Sequence, residues 1–215
     1  GSCSSTGEDT VRLWKVVRGG ISCSENYLPG RLVRKTIKGA DWLSGRDGTM
    51  DIYTDYNGNT VLERRWLHEN GTDRALDTYY VYDVLGRLRY VLPPLLSEAL
   101  SAKSKVSDND SAMRAYAYLY RYDGLGNCIW KRLPGCSAVR MQYDVHRRMV
   151  LSQDMNQLER GEWTSIWYDK LGRPCVKAAG PLPCQGDVSK TEFTASYTGK
   201  TGIGGASGSA IMVGG

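Results

Sequence analysis

The chain has 215 residues, among them 25 glycines, 14 tyrosines, six tryptophans and a single phenylalanine, with a net charge of +5. That length suits one large β domain or two small ones. The charge is mild and has no like-charge run, which argues against a nucleic-acid surface, and no apolar run approaches the ~18 residues of a membrane span. Abundant Tyr and Trp with almost no Phe suits strands whose rings cover a sheet face while polar tips reach water or a partner.

Residues 1–10 are rich in Ser, Gly and Cys and read as a disordered N-terminal segment. Gly1-Ser2 reads as an expression scar, so the natural N-terminus is expected to be missing and the absence of a signal peptide carries no information on localisation. Residues 11–17 alternate apolar and basic side chains and predict the first strand, broken at Gly19-Gly20. A turn at Leu28-Pro29-Gly30 leads to a strand over 31–37, and a glycine-bearing loop covers 38–48. Residues 49–54 and 60–67 predict a hairpin around Asn57-Gly58. Glu69-Asn70-Gly71-Thr72-Asp73 is a further turn, and its Asn70-Gly71-Thr72 is a formal glycosylation triplet that a bacterial origin would leave idle. Residues 78–82 and 87–92 predict the arms of another hairpin.

Pro93-Pro94 ends that strand, and residues 95–102 predict a helix with Leu96, Ala99 and Leu100 on one face. Asp108 and Asp110 are candidate caps for a short helix over 111–115, so a helical insertion is expected at about 94–115. Strands resume at Tyr116. Residues 163–168 are expected to pair back on 149–153 across a turn at Asp154-Met155-Asn156. Residues 181–186 read as loop and 192–197 as a strand. The tail at 199–215 is glycine-rich and reads either as a strand pair awaiting partners or as disordered chain.

A short motif recurs along this path. Tyr82-Asp83-Val84-Leu85-Gly86-Arg87 has full copies in Tyr122-Asp123-Gly124-Leu125-Gly126-Asn127 and Tyr168-Asp169-Lys170-Leu171-Gly172-Arg173. Tyr143-Asp144-Val145-His146-Arg147-Arg148 has Arg147 in the glycine position, and Asp55-Tyr56-Asn57-Gly58-Asn59 comes after Thr54 in place of Tyr. Asp at the first position of a type I turn accepts from backbone N–H groups two residues on, and glycine at the fourth takes positive φ. Such a turn, closed by a glycine bulge, is a standard longer hairpin connection. Recurrence turns a hairpin signal into a repeat array.

The Y-D-x-x-G-R/N pattern resembles the YD repeat of the bacterial Rhs (rearrangement hotspot) proteins, which are related to the animal teneurins. The wording around the repeats is similar too: Tyr90-Val91-Leu92-Pro93-Pro94, Tyr116-Ala117-Tyr118-Leu119-Tyr120-Arg121-Tyr122-Asp123, Leu151-Ser152-Gln153-Asp154 and Gly161-Glu162-Trp163-Thr164. The resemblance runs over residues 51–176. It implies a mainly β fold, an antiparallel hairpin ribbon of YD repeats that forms part of a spiralling β-shell, here over residues 11–198 with the helical insertion inside it. It also implies a bacterial cell-surface or secreted setting, with neighbouring repeats of a parent protein and an enclosed C-terminal toxin as partners. Family members that release their toxin carry an Asp-Pro-containing cleavage segment. This chain has no Asp-Pro dipeptide, so neither that segment nor a toxin is assigned.

Residues with the look of chemistry are few. Gly199-Lys200-Thr201 has Thr194 where a P-loop needs glycine, and Gly202-Ile203-Gly204 leads to Ser207 where a dinucleotide fingerprint needs its third glycine. His68 and His146 have no acidic or cysteine ligand set beside them. Cys3, Cys23, Cys128, Cys136, Cys175 and Cys184 form no zinc spacing. Cys128 with Cys136 and Cys175 with Cys184 are the pairs that an oxidising compartment would join, and free thiols are the preferred reading. The repeat residues Tyr82, Asp83, Gly86, Arg87, Tyr122, Asp123, Gly126, Asn127, Tyr143, Asp144, Tyr168, Asp169, Gly172 and Arg173 are therefore expected to be structural. The expected protein is not an enzyme and uses no metal or cofactor. Its expected partners are other repeats, with edge-to-edge self-association of the open ribbon. The alternative is a carbohydrate-binding or adhesion module that stacks a glycan on exposed Tyr and Trp rows.

Overall fold

The computed structural model describes residues 10–182. Its strands are β1 (Lys15–Val17), β2 (Gly20–Ser22), β3 (Val33–Ile37), β4 (Met50–Thr54), β5 (Thr60–Glu69), β6 (Thr72–Tyr82), β7 (Leu88–Leu92), β8 (Lys105–Ser107), β9 (Tyr118–Tyr122), β10 (Cys128–Arg132), β11 (Val139–Tyr143), β12 (Met149–Gln153), β13 (Trp163–Tyr168) and β14 (Pro174–Gly180). Three short helices are α1 (Pro94–Ala99), α2 (Ser111–Tyr116) and α3 (Met155–Glu159). The fold is mainly β, as expected. Hydrogen-bonded neighbours run β3-β4-β5-β6-β7-β9-β10-β11-β12-β13-β14 in an 11-stranded antiparallel sheet, and β1-β2-β8 form a separate 3-stranded sheet. The chain divides into two compact units, Gly1–Tyr120 with Arg132–Cys136, and Arg121–Lys131 with Ser137–Gly215. No helix among the described residues is long and apolar enough to cross a membrane.

In the first unit, alternation along each strand puts one set of side chains on a single face. Tyr53 lies opposite Leu62, Leu62 opposite Tyr79 and Tyr79 opposite Leu92, a row across four strands. Val81 opposite Tyr90 and Tyr90 opposite Leu119 make the next row. All seven are buried, Leu62 and Leu92 completely. Each fully buried leucine contributes about 1.5–3 kcal/mol. Leu96, Leu100 and Met113 add fully buried side chains from the segment around the two helices. Two buried charged groups in this core are paired. Asp51 accepts from Trp66 Nε1 at 2.9 Å and from Thr36 Oγ1 at 2.5 Å, and Arg64 holds Asp77 with two bonds of 2.7 Å.

The insertion is only partly helical. Pro94 begins α1 at a first-turn position, where its missing N–H costs nothing. The Arg12 guanidinium donates to the Leu100 and Lys103 carbonyls at 2.6 Å each, satisfying acceptors just beyond the helix end. Asp110 caps α2 by accepting from the Ala112 N–H at 3.0 Å, as the sequence suggests. Between the helices, inside the expected helical insertion, Lys105–Ser107 form β8, which pairs with β2. This pairing needs Gly20, because a Cβ there would meet the Val106 carbonyl oxygen at 2.0 Å. Gly20 therefore starts a strand where the sequence pattern predicts a break.

In the second unit the strands succeed one another as β10-β11-β12-β13-β14. Val150, Leu151 and Trp167 form its buried cluster, with Trp163 and Tyr168 packed against it. β12 does pair with β13, but the expected turn between them is α3. Asp154 and Gln157 form its capping box, the Asp154 side chain accepting from the Gln157 N–H at 2.8 Å and Gln157 Oε1 from the Asp154 N–H at 3.1 Å. The expected strand at 192–197, the N-terminal segment up to residue 9 and the tail at 199–215 lie outside the described residues.

Candidate functional site

The recurring motif folds the same way each time. At Asp83, the backbone N–H donates to the Arg87 carbonyl at 2.9 Å, and the Gly86 N–H donates to the Asp83 carbonyl at 2.9 Å. Asp83 Oδ1 accepts from the Leu85 and Arg87 N–H groups at 3.0 Å, and Oδ2 accepts from Arg87 Nε at 2.9 Å. The same five-bond circuit forms at Asp123, where Asn127 Nδ2 takes the place of the guanidinium at 2.8 Å. It forms at Asp169 with Arg173 and at Asp144 with Arg148. It forms equally at Asp55 with Asn59, so the copy weakest in sequence is complete in geometry.

This circuit gives the sixth motif position its reason. Arg or Asn comes after the glycine because either reaches back to the carboxylate oxygen that the backbone leaves over. Burial raises the Asp83 carboxyl, but the Arg87 side chain and the Arg87 and Leu85 N–H groups outweigh it and leave the group below its ordinary range. Asp123 is lowered in the same way, against burial, by Asn127 and its backbone donors. Asp169 is lowered first by the Arg173 N–H and then by the Arg173 side chain. Each of these carboxylates is consumed by its own turn.

The glycine position has φ +73° at Gly86, with open space around a hypothetical Cβ. Arg147 adopts the same left-handed conformation at φ 62° despite its side chain. Its guanidinium reaches the neighbouring turn, donating to the Leu125 carbonyl at 2.6 Å and to Asn127 Oδ1 at 3.3 Å.

Three motif tyrosines each link their repeat to the one before it. Tyr82 donates its hydroxyl to the Thr60 carbonyl at 3.0 Å, Tyr143 to that of Cys128 at 3.0 Å, and Tyr168 to that of Met149 at 2.8 Å. In every case the acceptor is the first residue of the return strand after the preceding turn. The strand register shifts beside this position: Tyr53 opposes Leu62 but Thr54 opposes Thr60, and Gln142 opposes Leu151 but Tyr143 opposes Met149. One extra residue, Val61 or Val150, sits in the bulge and is buried. Burial first, then nearby anionic groups, raises the Tyr82 and Tyr143 hydroxyls; burial raises Tyr168 against the opposing charge of Arg148. All three remain donors at neutral pH.

The aromatic rows that the carbohydrate-binding alternative needs exposed are largely covered. Trp14, Trp66 and Trp167 are buried. Lys38 lies over the Trp42 ring, Arg121 over Trp130 and Arg148 over Tyr168. Tyr56 and Tyr116 are the large exposed aromatics among the described residues. His68 sits in β5 with Nδ1 2.8 Å from Asp73, and His146 occupies the third position of a repeat turn. Cys23, Cys128, Cys136 and Cys175 are free thiols, so the Cys128–Cys136 disulfide is not formed; Cys184 lies outside the described residues.

These features define a mainly β repeat protein with one turn chemistry used throughout. Among solved structures, it is similar to a crystal structure of TcdB2-TccC3-TEV, at 19% identity and a TM-score of 0.48 over 64% of this chain. It is similar also to a crystal structure of TcdB2-TccC3, at 18% identity and 0.47 over 63%, and to the structure of a Photorhabdus luminescens Tc holotoxin pore, at 19% and 0.46 over 64%. The chain spans 6% of the length of each of those chains. No protein-family model and no curated protein matches the sequence.

Proposed function

We propose that this chain is a non-enzymatic structural segment of an Rhs/YD-repeat protein of the bacterial surface or secreted space. Its role is to extend a β ribbon that, with neighbouring repeats of a parent protein, builds a shell around a toxin cargo. The observation that supports this reading is the five-bond turn circuit repeated at Asp55, Asp83, Asp123, Asp144 and Asp169, with tyrosine hydroxyls joining the Asp83 repeat to the Asp55 repeat, the Asp144 repeat to the Asp123 repeat and the Asp169 repeat to the Asp144 repeat. The motif side chains are spent on holding turns and neighbours, which is the work of a wall rather than of a reactive centre.

The test is made in the parent protein. Asp169→Ala combined with Tyr168→Phe should open the wall locally and raise the protease sensitivity of the chain it encloses. The enclosed chain's own activity should be unchanged once released. Unchanged protease sensitivity would overturn the shell reading, and specific retention of this chain on a glycan array would favour the adhesion module instead.

A further inference from the structure

Asn57 and Asn70 are the asparagines followed by glycine in this chain, and both are exposed. In such a pair the glycine nitrogen can close on the asparagine side-chain carbonyl carbon, because a residue without a Cβ does not crowd the approach. The two pairs lie in turns of different construction, and the fold gives the same dipeptide two different fates.

The Asn57 turn is held closed. The Gly58 N–H, whose nitrogen would have to react, donates to the Asp55 carbonyl at 3.1 Å. The Asn57 N–H donates to Asp55 Oδ1 at 2.9 Å, and Asn59 reaches both carboxylate oxygens, at 2.9 Å through its N–H and at 3.2 Å through Nδ2. Tyr82 bonds the Thr60 carbonyl just beyond. Turning the Asn57 backbone towards ring closure breaks this circuit.

The Asn70 turn has no such circuit. Asn70 and Gly71 form the two-residue connection from β5 to β6, at φ 53° and 79°. Among the described residues, no hydrogen bond forms at the Gly71 N–H or at the Asn70 side-chain amide. The connection also caps a two-stranded projection. β4 pairs with β5 no further out than Arg65, and β7 pairs with β6 no further out than Tyr79. The rungs His68 to Asp73 and Glu69 to Thr72 lie beyond both. Side chains add exposed contacts there, Thr72 Oγ1 to the Glu69 carbonyl at 3.0 Å and His68 Nδ1 to Asp73 at 2.8 Å. Such an end opens locally at small cost.

We propose that Asn70 is a self-modification site, at which the chain converts its own side-chain amide to a carboxylate through a succinimide, with water as the co-reactant. The Gly71 nitrogen passes its proton to hydroxide and bonds to Asn70 Cγ. The Cγ–Nδ2 bond breaks, and Nδ2 leaves as ammonia with a proton from water, which restores the hydroxide. Water then opens the ring with no change of oxidation state. Addition at Cγ returns the ordinary backbone as aspartate. Addition at the main-chain carbonyl carbon leaves Gly71 attached through Cγ, an isoaspartate whose chain path is longer by a methylene. Either product places a new negative charge between Glu69 and Asp73.

Peptide mapping by mass spectrometry, during incubation of the full chain at mildly alkaline pH, tests the proposal. In the folded chain Asn70 should convert about tenfold faster than Asn57, the factor that a further hydrogen bond to be opened imposes. In denaturant the two sites should convert at similar rates, since the dipeptide alone then acts. Asp55→Ala should raise the Asn57 rate in the folded chain and leave the Asn70 rate unchanged, with amide protection of β5 as the fold control. The comparison of folded with denatured unsubstituted chain stands whether or not that variant folds. A folded chain in which Asn57 keeps pace with Asn70 would overturn the proposal. So would an Asn70 that stays intact in the folded chain while it converts in denaturant, or one that yields aspartate with no isoaspartate. None of these results touches the shell reading, which is judged in the parent protein.

Discussion

Arg147 stands at φ 62° and sends its guanidinium 2.6 Å to the carbonyl of Leu125, in the turn of the repeat before. A side chain in left-handed backbone costs about 1–2 kcal/mol, and a hydrogen bond from a charged donor contributes about the same. The two nearly offset. Arg147→Gly should therefore leave the melting temperature almost unchanged, having lost both the strain and the bond. Arg147→Ala keeps the strain and loses the bond, and should be less stable than Arg147→Gly by about 1 kcal/mol. Equal melts for the two variants would mean that the backbone at this position is not held left-handed.

The repeat tyrosines are testable one hydroxyl at a time. Tyr168→Phe keeps the ring on the Trp167 cluster and removes only the bond to Met149. It should cost about 0.5–1.5 kcal/mol, and Tyr82→Phe and Tyr143→Phe should cost similar amounts. Denaturant midpoints at unchanged slope are the readout.

At the glycine position, Gly86→Val is expected to cost about 2 kcal/mol, because a β-branched residue is forced to φ +73° although nothing crowds its Cβ. Arg87→Lys keeps the charge, loses the Nε bond to Asp83 and should cost under about 1 kcal/mol. Thermal melts of the two variants separate backbone strain from ion pairing; equal losses would remove the turn assignment.

Stability should depend on pH at both extremes. Asp83, Asp123 and Asp169 are lowered in the folded chain, so the unfolded chain takes up protons first on acidification. Their contribution is complete above the ordinary carboxylate value of about 3.9 and is lost as pH falls through the lower native values. Tyr82, Tyr143 and Tyr168 are raised, so their contribution is complete below about pH 10 and is lost as pH rises through the higher native values. Melting temperature against pH should fall at both ends, and the triple Tyr→Phe variant should flatten the alkaline limb alone.

Gly20→Ala should be the most damaging single methyl, since Val106 offers a backbone oxygen at 2.0 Å and no flexible side chain to move aside. A loss of about 3 kcal/mol is expected, with the β2–β8 pairing amides losing protection while β10–β13 keep theirs.

The turns are legible in the sequence because their chemistry is local: Asp, Gly and the polar residue after it meet within five positions. Helix α2 is legible through Asp110 for the same reason. The tyrosine bonds are not, because their acceptors lie 15 to 22 residues away and are backbone carbonyls with no side-chain signature. β8 is hidden because its three residues include one apolar side chain, Val106, and its partner β2 lies far back in the chain. The α3 signal is present as Asp154 and Gln157 three apart, but five helical residues are too few to show a 3.6-residue period. Asp55 looks like a degraded copy because Thr54 stands in place of tyrosine, whereas the turn depends on the aspartate and the residues after it.

The small β1-β2-β8 sheet has a consequence for synthesis. Arg12 finds its acceptor Lys103 at a separation of 91 residues, and β2 finds its outer strand at a comparable distance. At roughly 5–20 residues per second, the β1–β2 hairpin waits on the order of ten seconds on the ribosome for β8 to be made. During that interval Ile21, completely buried in the finished protein, has no cover. The nascent chain is therefore vulnerable around β1 and β2 while the repeats behind them are closing their local turns, and a chaperone that shields residues 11–27 would raise the yield of folded protein more than one acting on the repeats.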